Sequence, residues 1–493
     1  MPSTTSSRAK PYMRFGMAAA LTASIAIALA TFSSPVNAAN PPVEGQWSAP
    51  IDLGGVAIHA ALMHTGDVLF FQYVEGRGGV DKTSFVETWN PVTGVRRTVS
   101  LPYDRDLFCA SHVLLPNGDI LLTGGHDQNS TGKQDGKGVA NVDTWSPVTR
   151  AWTPRAPLSE KRWYPTTVLL ANNDALTFGG QADVGIRANT VDSYDTATNA
   201  MTRLPSSATK VVGQYPQMFA MANGKVLRVT KSSQYFDPAT NSWSPTLSTM
   251  VASHQRGATV LLDGATKALT FGGDGSSSAA SKNSEIIDTA LASPRWRAVA
   301  PMNHGRTLHN GVVLPDGTVL AVGGGVRFKY TSPVKIPELY NPVTNTWTAL
   351  APQQGGRMYH GTALLLPDGR VLSAGQDSGT FAKKMEIFSP PYLFKGARPT
   401  ITTAPSGLGY GQQFAIATPN ATDIKSVALV RSGSVTHGIN TDQRHIPLSF
   451  TTSAGMITAT APADARIAPA GHYLLFIVNS AGVPSIAPWV QVG

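Results

Sequence analysis

Cysteine is nearly absent from this chain, which holds one, Cys109, among 493 residues. An intramolecular disulfide is therefore excluded, and a lone thiol in an oxidising compartment must be buried, paired between chains or chemically consumed. Charged residues are also scarce, at 14%, whereas Gly (47) and Pro (35) are plentiful. This balance argues against a helical or disordered protein and favours many short strands joined by tight turns.

Long apolar runs are missing except near the start. Arg8, Lys10 and Arg14 form a basic front to an apolar run over 17–32, and the small residues at 36–38 resemble a cleavage site. We expect the first 38 residues to be a signal peptide and the mature protein to be secreted or associated with the cell surface; the alternative is an uncleaved anchor. No second apolar run is long enough to span a membrane.

The charge distribution lacks the patterns of several binding classes. The formal charge is +9, of which the signal supplies +3, leaving the mature chain near +6. Basic runs interleaved with aromatics are not present, so nucleic-acid binding is not expected. No dinucleotide glycine fingerprint lies between a strand and a helix, which argues against nicotinamide or flavin. Weak attraction to acidic surfaces is compatible with the charge.

A repeat of roughly fifty residues organises most of the chain. Each unit has an apolar strand, a turn with Asn/Asp-Gly, a second apolar strand ending in Gly-Gly, and a segment closing near Tyr/Trp-x-Pro. The Asn/Asp-Gly pairs indicate hairpins with type I′ turns. Seven copies can be placed, starting at or near Ile58, Cys109, Tyr164, Tyr215, Gln255, Leu308 and Tyr359.

These repeats predict an all-β protein in two domains. Four strands per unit at this period are typical of propeller blades, so a seven-bladed kelch-like β-propeller is expected over 45–395. A β-helix or other solenoid is the alternative, although its repeats are usually shorter. A closed ring also leaves no exposed sheet edge. The repeat stops after Pro391, and short alternating strands over 396–493 predict an immunoglobulin-like β-sandwich cap.

Candidate functional residues lie where the innermost strands begin, because those positions converge around a propeller's central axis. Cys109 and Tyr164 begin neighbouring blades, Tyr359 and His360 begin the seventh, and His437 lies in a loop of the C-terminal domain. Each has an ordinary structural reading: an inert thiol, rim tyrosines, packed histidines. Position alone does not select among the histidines, since three more lie near blade starts: His59, His254 and His309.

Five segments together resemble the galactose oxidase/glyoxal oxidase family. Four of them, 107–109, 162–164, 357–361 and 434–444, are similar to that family's active-site segments, and 386–393 is similar to its junction between propeller and cap. They occur in family order over nearly the whole mature chain. The resemblance implies a copper-radical oxidase on a kelch-like propeller with a β-sandwich cap.

Residue roles follow from the resemblance alone. It implies that Tyr164, His360 and His437 are equatorial copper ligands and that Tyr359 is the axial tyrosine and proton acceptor. Cys109 would be joined to Tyr164 by a thioether bond, a fate that would account for a lone exported cysteine. Imidazole and oxygen donors of this kind suit Cu(II).

The implied reaction needs copper and the Tyr164–Cys109 radical as its cofactors. An alcohol or hydrated aldehyde binds copper, Tyr359 takes its hydroxyl proton, and the radical removes a hydrogen atom from carbon. Dioxygen reoxidises the site and leaves as hydrogen peroxide. Two other readings stay open: a non-catalytic kelch propeller that binds glycans or cell-wall polymers, and a copper protein without the cross-link.

Two departures from galactose oxidase bear on the substrate. The Trp that stacks on its cross-linked tyrosine is missing here, because Gly179-Gly180 is followed by Gln181. Trp163 is a candidate shield, or simply a packing residue. Only about twenty residues separate the signal from blade one, so the N-terminal carbohydrate-binding domain is not expected. The expected substrates are therefore small aldehydes or primary alcohols, glyoxal-oxidase-like, before sugars, acted on by a monomer.

Overall fold

The protein is built almost wholly from short antiparallel strands. The computed structural model describes residues 40–73, 84–101, 106–127, 136–274, 279–328, 332–377 and 379–493. The predicted signal peptide falls outside these residues. In the part described, no helix is both long and apolar enough to cross a bilayer.

Seven sheets of at least four strands occur between Gln46 and Ser389 in the described residues. The bounds of the first sixteen strands are β1 Gln46–Trp47, β2 Ile51–Asp52, β3 Val56–Leu62, β4 Val68–Tyr73, β5 Ser84–Trp89, β6 Arg96–Val99, β7 Ser111–Leu114, β8 Ile120–Thr123, β9 Val142–Ser146, β10 Ala151–Pro154, β11 Thr166–Leu169, β12 Ala175–Phe178, β13 Gln181–Asp183, β14 Ile186–Arg187, β15 Asp192–Tyr194 and β16 Met201–Arg203.

The next sixteen strands complete these sheets: β17 Gln217–Ala220, β18 Val226–Val229, β19 Ser232–Asp237, β20 Ser242–Trp243, β21 Ser248–Thr249, β22 Ala258–Leu262, β23 Lys267–Phe271, β24 Ser284–Asp288, β25 Arg297–Val299, β26 Thr307–Val313, β27 Val319–Gly325, β28 Glu338–Asn341, β29 Thr346–Ala349, β30 Gly361–Leu365, β31 Val371–Gly375 and β32 Lys384–Ser389. The helices in the part of the chain that the structure describes are all short: α1 Pro41–Glu44 and 3₁₀ turns at Ser206–Ala208, Pro391–Phe394 and Ala421–Asp423.

The last of these sheets is completed by the start of the described chain. β1 pairs with β32 in the register Gln46 to Ser389 and Trp47 to Phe388. The buried Trp47 indole donates to the Ala351 carbonyl (2.8 Å) and packs on the Phe388 ring (4.9 Å between centroids). Inner strands β3 and β30, which belong to the first and last sheets, are also in contact. The repeat pattern did not reveal this pairing, because two residues are too few to show periodicity.

The hairpin turns differ from the predicted type. In the turn after β7, φ is positive at Gly118 (+86°) but not at Asn117, whereas a type I′ turn needs both. Pro116 precedes them, and its ring fixes a negative φ at the first turn position. The result is a type I turn followed by a left-handed glycine, in which Gly118 N–H donates to Leu115 O (2.9 Å). The hairpins were predicted correctly, but their turn type was wrong.

The C-terminal residues form the predicted β-sandwich, so the all-β class with a sandwich cap is confirmed. Its core lies between a five-stranded and a three-stranded sheet and includes Ile416, Leu429 and Ile477, all buried. The strands are β33 Gly407–Leu408, β34 Gln413–Ala417, β35 Ile424–Arg431, β36 Ser434–Thr436, β37 Ile439–Asn440, β38 His445–Leu448, β39 Phe450–Ser453, β40 Met456–Thr460, β41 Gly471–Asn479 and β42 Trp489–Val492.

One hairpin of the C-terminal region leaves the sandwich and joins the first sheet. β36 pairs with β3, opposing Thr436 to His59, and β37 extends the pair. Buried polar groups secure this insertion: Asp442 accepts from Leu114 N–H (3.0 Å), and Arg431 donates to Leu114 O (2.9 Å). The hairpin therefore carries its turn into the centre of the other sheets.

Buried ion pairs recur just before inner strands. In each, an arginine packs against a carboxylate on the third strand of its own sheet, with both side chains at most 1% exposed. A buried charge is tolerated only when it is paired and hydrogen-bonded. These pairs thus fix the segment that leads into each inner strand: Arg162 with Asp192, Arg306 with Glu338, and Arg357 with Glu386.

Candidate active site

The residue that precedes most inner strands has left-handed backbone geometry. Positive φ is uncommon for residues other than glycine, and its repetition at equivalent places shows a shared architectural requirement. Six sheets share it within two positions of the start of the inner strand, Leu308 being the second residue of β26: Cys109 (φ 55°), Tyr164 (61°), Tyr215 (40°), Arg256 (64°), Leu308 (59°) and His360 (69°). The segments that begin these six inner strands therefore share an unusual backbone geometry.

Hydrogen bonds link these positions from one sheet to the next. Tyr164 N–H donates to Cys109 O (3.0 Å), and Tyr215 N–H donates to Tyr164 O (2.7 Å). Cys109 and Tyr164 are thus adjacent, although 55 positions separate them in the sequence. The structure also brings the other three predicted site residues, Tyr359, His360 and His437, to the same place.

Two histidines and the thiol form a compact set of donor atoms. The Cys109 sulfur lies 3.6 Å from His437 Nε2 and 3.9 Å from His360 Nε2. All three donor atoms lie within 4.8 Å of one another. His437 is carried by the turn between β36 and β37, so it reaches the site only through the inserted hairpin.

The hydrogen bonds of the imidazoles fix which nitrogen faces the site. His360 Nδ1 contacts Asp377 Oδ1, an acceptor, so Nδ1 carries the proton. Thr436 donates its hydroxyl proton to Ile58 O (3.0 Å) and therefore accepts from His437 Nδ1 (2.6 Å). Both Nε2 lone pairs consequently point into the cluster, which is the tautomer that a metal requires.

The hydroxyl oxygens of Tyr164 and Tyr359 lie 2.6 Å apart. Burial raises the pKa of Tyr164 well above its usual value of 10, and the nearby Cys109 and Tyr359 raise it further. The protein alone therefore keeps this phenol protonated, and phenolate requires a cation bound beside it. Phenols and imidazoles with this tautomer fit Cu(II), so the donor set fits the copper implied by the sequence.

Aromatic rings enclose the Tyr164 ring away from solvent. The Trp163 ring lies 4.4 Å from that of Tyr164, tilted by 45°, and Phe108 lies 6.5 Å away, edge-on. Trp163 is 7% exposed and its backbone is held by two hydrogen bonds with Gln181. An indole therefore packs against the Tyr164 ring from the position immediately before it, although Gln181 follows Gly180.

Removing the Trp163 ring is expected to shorten the lifetime of an oxidised Tyr164. Trp163→Ala opens the packed face of the phenol to water and reductants, so the radical's visible absorbance should decay several-fold faster after chemical oxidation. Trp163→Phe keeps an aromatic ring and should restore most of the lifetime. Equal decay in Trp163→Ala and wild type would show that the indole only packs.

Two residues of the site, Tyr215 and Asp377, were not predicted from the sequence. Tyr215 packs 4.5 Å from the His437 ring and 5.0 Å from Tyr164, and its hydroxyl donates to Ala110 O (2.8 Å). Its place at a blade start was the available signal. Asp377 lies just past the end of β31 and orients His360; a carboxylate following a strand's last glycine is too common to select.

The other histidines near blade starts have different environments. His59 Nε2 accepts from Cys109 N–H (3.2 Å), and burial holds the pKa of His59 well below 6.5. His254 bonds to Gly272 O and Glu285. His309 is fully buried, and burial also lowers its pKa. None of the three belongs to the cluster of donor atoms in the described residues.

A cavity of about 740 Å³ opens onto this cluster. Tyr164, Tyr359 and His437 lie on its wall, whereas Cys109 and His360 are buried behind it. A volume of this size admits a small molecule up to a sugar. The arrangement therefore exposes two phenols and one imidazole to a substrate and keeps the thiol and the second imidazole protected.

Comparison with known proteins identifies this arrangement. Residues 231–392 match the "Glyoxal oxidase N-terminus" family model, and 398–492 match "Galactose oxidase-like, Early set domain". Galactose oxidase from Gibberella zeae is 30% identical over 509 aligned residues, covering 94% of this chain and 72% of the relative. The chain belongs to the galactose oxidase/glyoxal oxidase family. It is a copper-radical oxidase, as the sequence predicted.

Other members of the family and a solved structure agree with this assignment. Aldehyde oxidase GLOX from Vitis pseudoreticulata is 27% identical over 452 residues, covering 78% of this copper-radical oxidase and 82% of the relative. A fungal alcohol oxidase of the AA5 family, solved in complex with copper, superposes with a TM-score of 0.80 at 26% identity. That match covers 91% of this chain and 99% of the other.

Proposed function

We propose that this oxidase converts small aldehydes or primary alcohols with dioxygen to hydrogen peroxide, using copper and a Tyr164–Cys109 thioether radical. The single observation that carries the proposal is the convergence of two imidazole Nε2 atoms, one thiol and two phenols at the inner end of an open cavity. Relatives named galactose oxidase and aldehyde oxidase support both alcohol and aldehyde chemistry.

Each residue has a role that its environment supports. His360 and His437 hold the metal through Nε2, with Tyr164 and Tyr359 supplying oxygen donors. Tyr359 is half-buried and faces the cavity, so it is placed to take the substrate's hydroxyl proton. Cys109 is fully buried beside Tyr164, which suits a permanent covalent link better than a reversible thiol.

The reaction balances with these groups. When bound, copper supplies one of the two oxidising equivalents and a position for the substrate oxygen. Tyr359 would accept the O–H proton, and the Tyr164–Cys109 radical, once formed, would take the C–H hydrogen atom. An alcohol RCH₂OH and O₂ thus give RCHO and H₂O₂, and a hydrated aldehyde RCH(OH)₂ and O₂ give RCOOH and H₂O₂. Trp163 and Phe108 keep water from the radical meanwhile.

The proposal also includes the localisation, domain organisation and oligomeric state of the enzyme. Residues 1–38 are proposed as a removed signal peptide, which makes the protein secreted or attached to the cell surface. The seven sheets are proposed as the blades of a propeller over 45–395, with the sandwich cap over 396–493. The active form is proposed to be a monomer, because the chain's own cap hairpin supplies His437 to the site.

Peroxide release tests the proposed function directly. Copper-loaded, oxidised protein should release hydrogen peroxide from glycolaldehyde or methylglyoxal, with one O₂ consumed per peroxide formed. If the protein at full copper occupancy released no peroxide from a broad panel of aldehydes and primary alcohols, the proposal would be overturned. That result would favour a propeller that binds glycans without catalysis.

Removing either proposed histidine ligand is expected to weaken copper binding. Loss of an outer-shell partner typically costs about 10–100-fold in metal affinity, and a direct ligand should cost at least as much. His360→Ala and His437→Ala should therefore lose most of their copper on dialysis, as measured by elemental analysis. His304→Gln, a partly exposed histidine outside the donor cluster, should keep it. Full retention in both ligand variants would contradict the assignment.

A further inference from the structure

The cavity that leads to the copper site is lined by positive charge. Four basic side chains contribute to its described wall, and no Asp or Glu does: Arg187, Arg228, Lys231 and Arg256. A concave, low-dielectric wall of one sign focuses its field into the cavity and attracts counter-charged ligands. The oxidation of neutral aldehydes and alcohols does not require an excess of positive charge in the cavity wall.

Among these four side chains, Arg256 contacts an aromatic ring that packs near Tyr359. It precedes an inner strand at the position equivalent to Tyr164 and Cys109, with φ 64°. Its guanidinium stacks over the Phe328 ring (4.4 Å to the centroid), and Phe328 lies 6.3 Å from the Tyr359 ring. Only one aromatic ring thus separates this cation from the proposed proton acceptor. The stacking fixes the guanidinium and leaves its edge N–H groups for a ligand.

The fully buried arginines Arg162, Arg306 and Arg357 each have a carboxylate beside them, whereas Arg256 and Arg228 are half-buried. In the described residues no ion pair involves Arg256 or Arg228. Burial lowers the pKa of Arg228, and no carboxylate counteracts this effect. Desolvating an unpaired cation is costly, and an anionic ligand in the cavity would offset that cost.

We propose that the substrate itself supplies this carboxylate: the cavity selects aldehyde acids and hydroxy acids over neutral analogues, with Arg256 as the specificity-determining residue. The guanidinium matches a carboxylate in bidentate geometry. Arg228 and Lys231 strengthen the attraction from the outer wall. The inference rests on the proposed oxidase function and specifies its substrate class.

The chemistry is unchanged by the extra carboxylate. Glyoxylate is hydrated in water; its C–H hydrogen atom would pass to the Tyr164–Cys109 radical, a hydroxyl proton to Tyr359, and the second electron to the bound copper. The two electrons removed reduce O₂ to H₂O₂, and the product is oxalate. Glycerate, which has a primary alcohol, would give the corresponding aldehyde by the same balance.

Matched substrate pairs test the proposal. Peroxide formation is measured for glyoxylate against methylglyoxal and for glycerate against glycerol, so that each pair differs mainly by the charge. In wild type, kcat/KM for the acid should exceed that for its neutral partner about tenfold or more, because hydrogen bonds to charged groups are among the strongest. The excess should shrink as salt rises. Equal values for both pairs would overturn the proposal.

Variants assign the selectivity to Arg256. Arg256→Gln should lower the acid-to-neutral ratio of kcat/KM by about ten- to hundredfold, and Arg256→Lys should restore part of it. Arg203→Gln removes an exposed charge from the outer strand β16 and should leave the ratio as in wild type. A ratio unaffected by Arg256→Gln would exclude the residue as the determinant.

Binding to copper-free protein separates this inference from the oxidase function. Glycolate affinity, measured by calorimetry without copper, should fall in Arg256→Gln even if no substrate is turned over. Glycolate bound equally by wild type and Arg256→Gln would overturn the proposal. Arg256-dependent binding without peroxide from any substrate would instead overturn the proposed function and retain the carboxylate site.

Discussion

Replacing Cys109 with serine is expected to lower kcat/KM for every substrate by about 10³-fold or more, equivalent to roughly 4 kcal/mol of transition-state stabilisation. Serine has nearly the same size, so the backbone bond from Tyr164 N–H to residue 109 should persist. What is lost is the sulfur substituent on the phenol, which makes the ring easier to oxidise. Tyr164→Phe should fail equally, because it removes the oxygen donor and the radical site together.

Peptide mapping shows whether the loss has the expected cause. Wild-type protein treated with copper and oxygen should yield one covalently linked fragment containing Cys109 and Tyr164, lighter by two hydrogens than the separate peptides. Cys109→Ser and Tyr164→Phe should yield no such fragment. Tyr194→Phe, a matched change on β15, the third strand of the sheet that begins just after Tyr164, should yield it in full. Unimpaired turnover without the fragment would disprove the radical assignment.

Breaking one buried ion pair is expected to produce the largest loss of stability. Arg306→Leu leaves the buried Glu338 carboxylate without its arginine partner, and removing one partner of a buried ion pair typically costs about 3–5 kcal/mol. The Arg306 guanidinium also donates to Gly323 O (3.2 Å) and Ile336 O (2.9 Å), so two further carbonyls lose a donor. Typical domains are stable by only about 5–15 kcal/mol, so the change should be plain in denaturant unfolding of the copper-free protein.

The pH dependence of the free energy of unfolding should also differ between wild type and Arg306→Leu. Burial alone would raise the pKa of Glu338, but Arg306 and the backbone N–H groups of Asn303 and His304 hold it below its usual 4.5. The stability contributed by this carboxylate is therefore present above the unfolded pKa and is lost as pH falls through the lower folded pKa. In Arg306→Leu the free energy of unfolding should fall less steeply between pH 5 and 3.

The control for this variant is a surface arginine. Arg203→Leu lies on an exposed outer strand and should change the free energy of unfolding by about 0.5 kcal/mol at most. A comparably small loss in Arg306→Leu, or an unchanged pH dependence, would mean that water or a neighbouring group compensates Glu338.

Sequence patterns predicted best the features that depend on interactions between residues close together in the chain. Apolar strands separated by Pro-Asn-Gly or Pro-Asp-Gly turns predicted the sheets, because both periodicity and turn chemistry are short-range. The turn type predicted at Asn117-Gly118 was wrong, because the ring of Pro116 fixes a negative φ at the first turn position. Strand β1 was missed because its pairing with β32 is set by contacts more than 300 positions apart.

For the site, the sequence provided the residue types but not their arrangement in space. A single cysteine and the order of Tyr164, Tyr359, His360 and His437 sufficed to suggest copper-radical chemistry through a family resemblance. The functions of Asp377 and Thr436 in selecting the imidazole tautomers, and the position of the Trp163 ring, depend on side-chain packing that no short motif encodes.

The sequence by itself determined the all-β class, the C-terminal sandwich, and which side chains have redox and metal-binding chemistry. Only the tertiary structure decided that a hairpin of the cap joins the first sheet and delivers His437, and that Arg256 stacks over Phe328 in a cavity wall whose described residues include no acidic group. Composition and periodicity act along the chain. The electrostatics of a cavity depend on which distant residues the fold brings together.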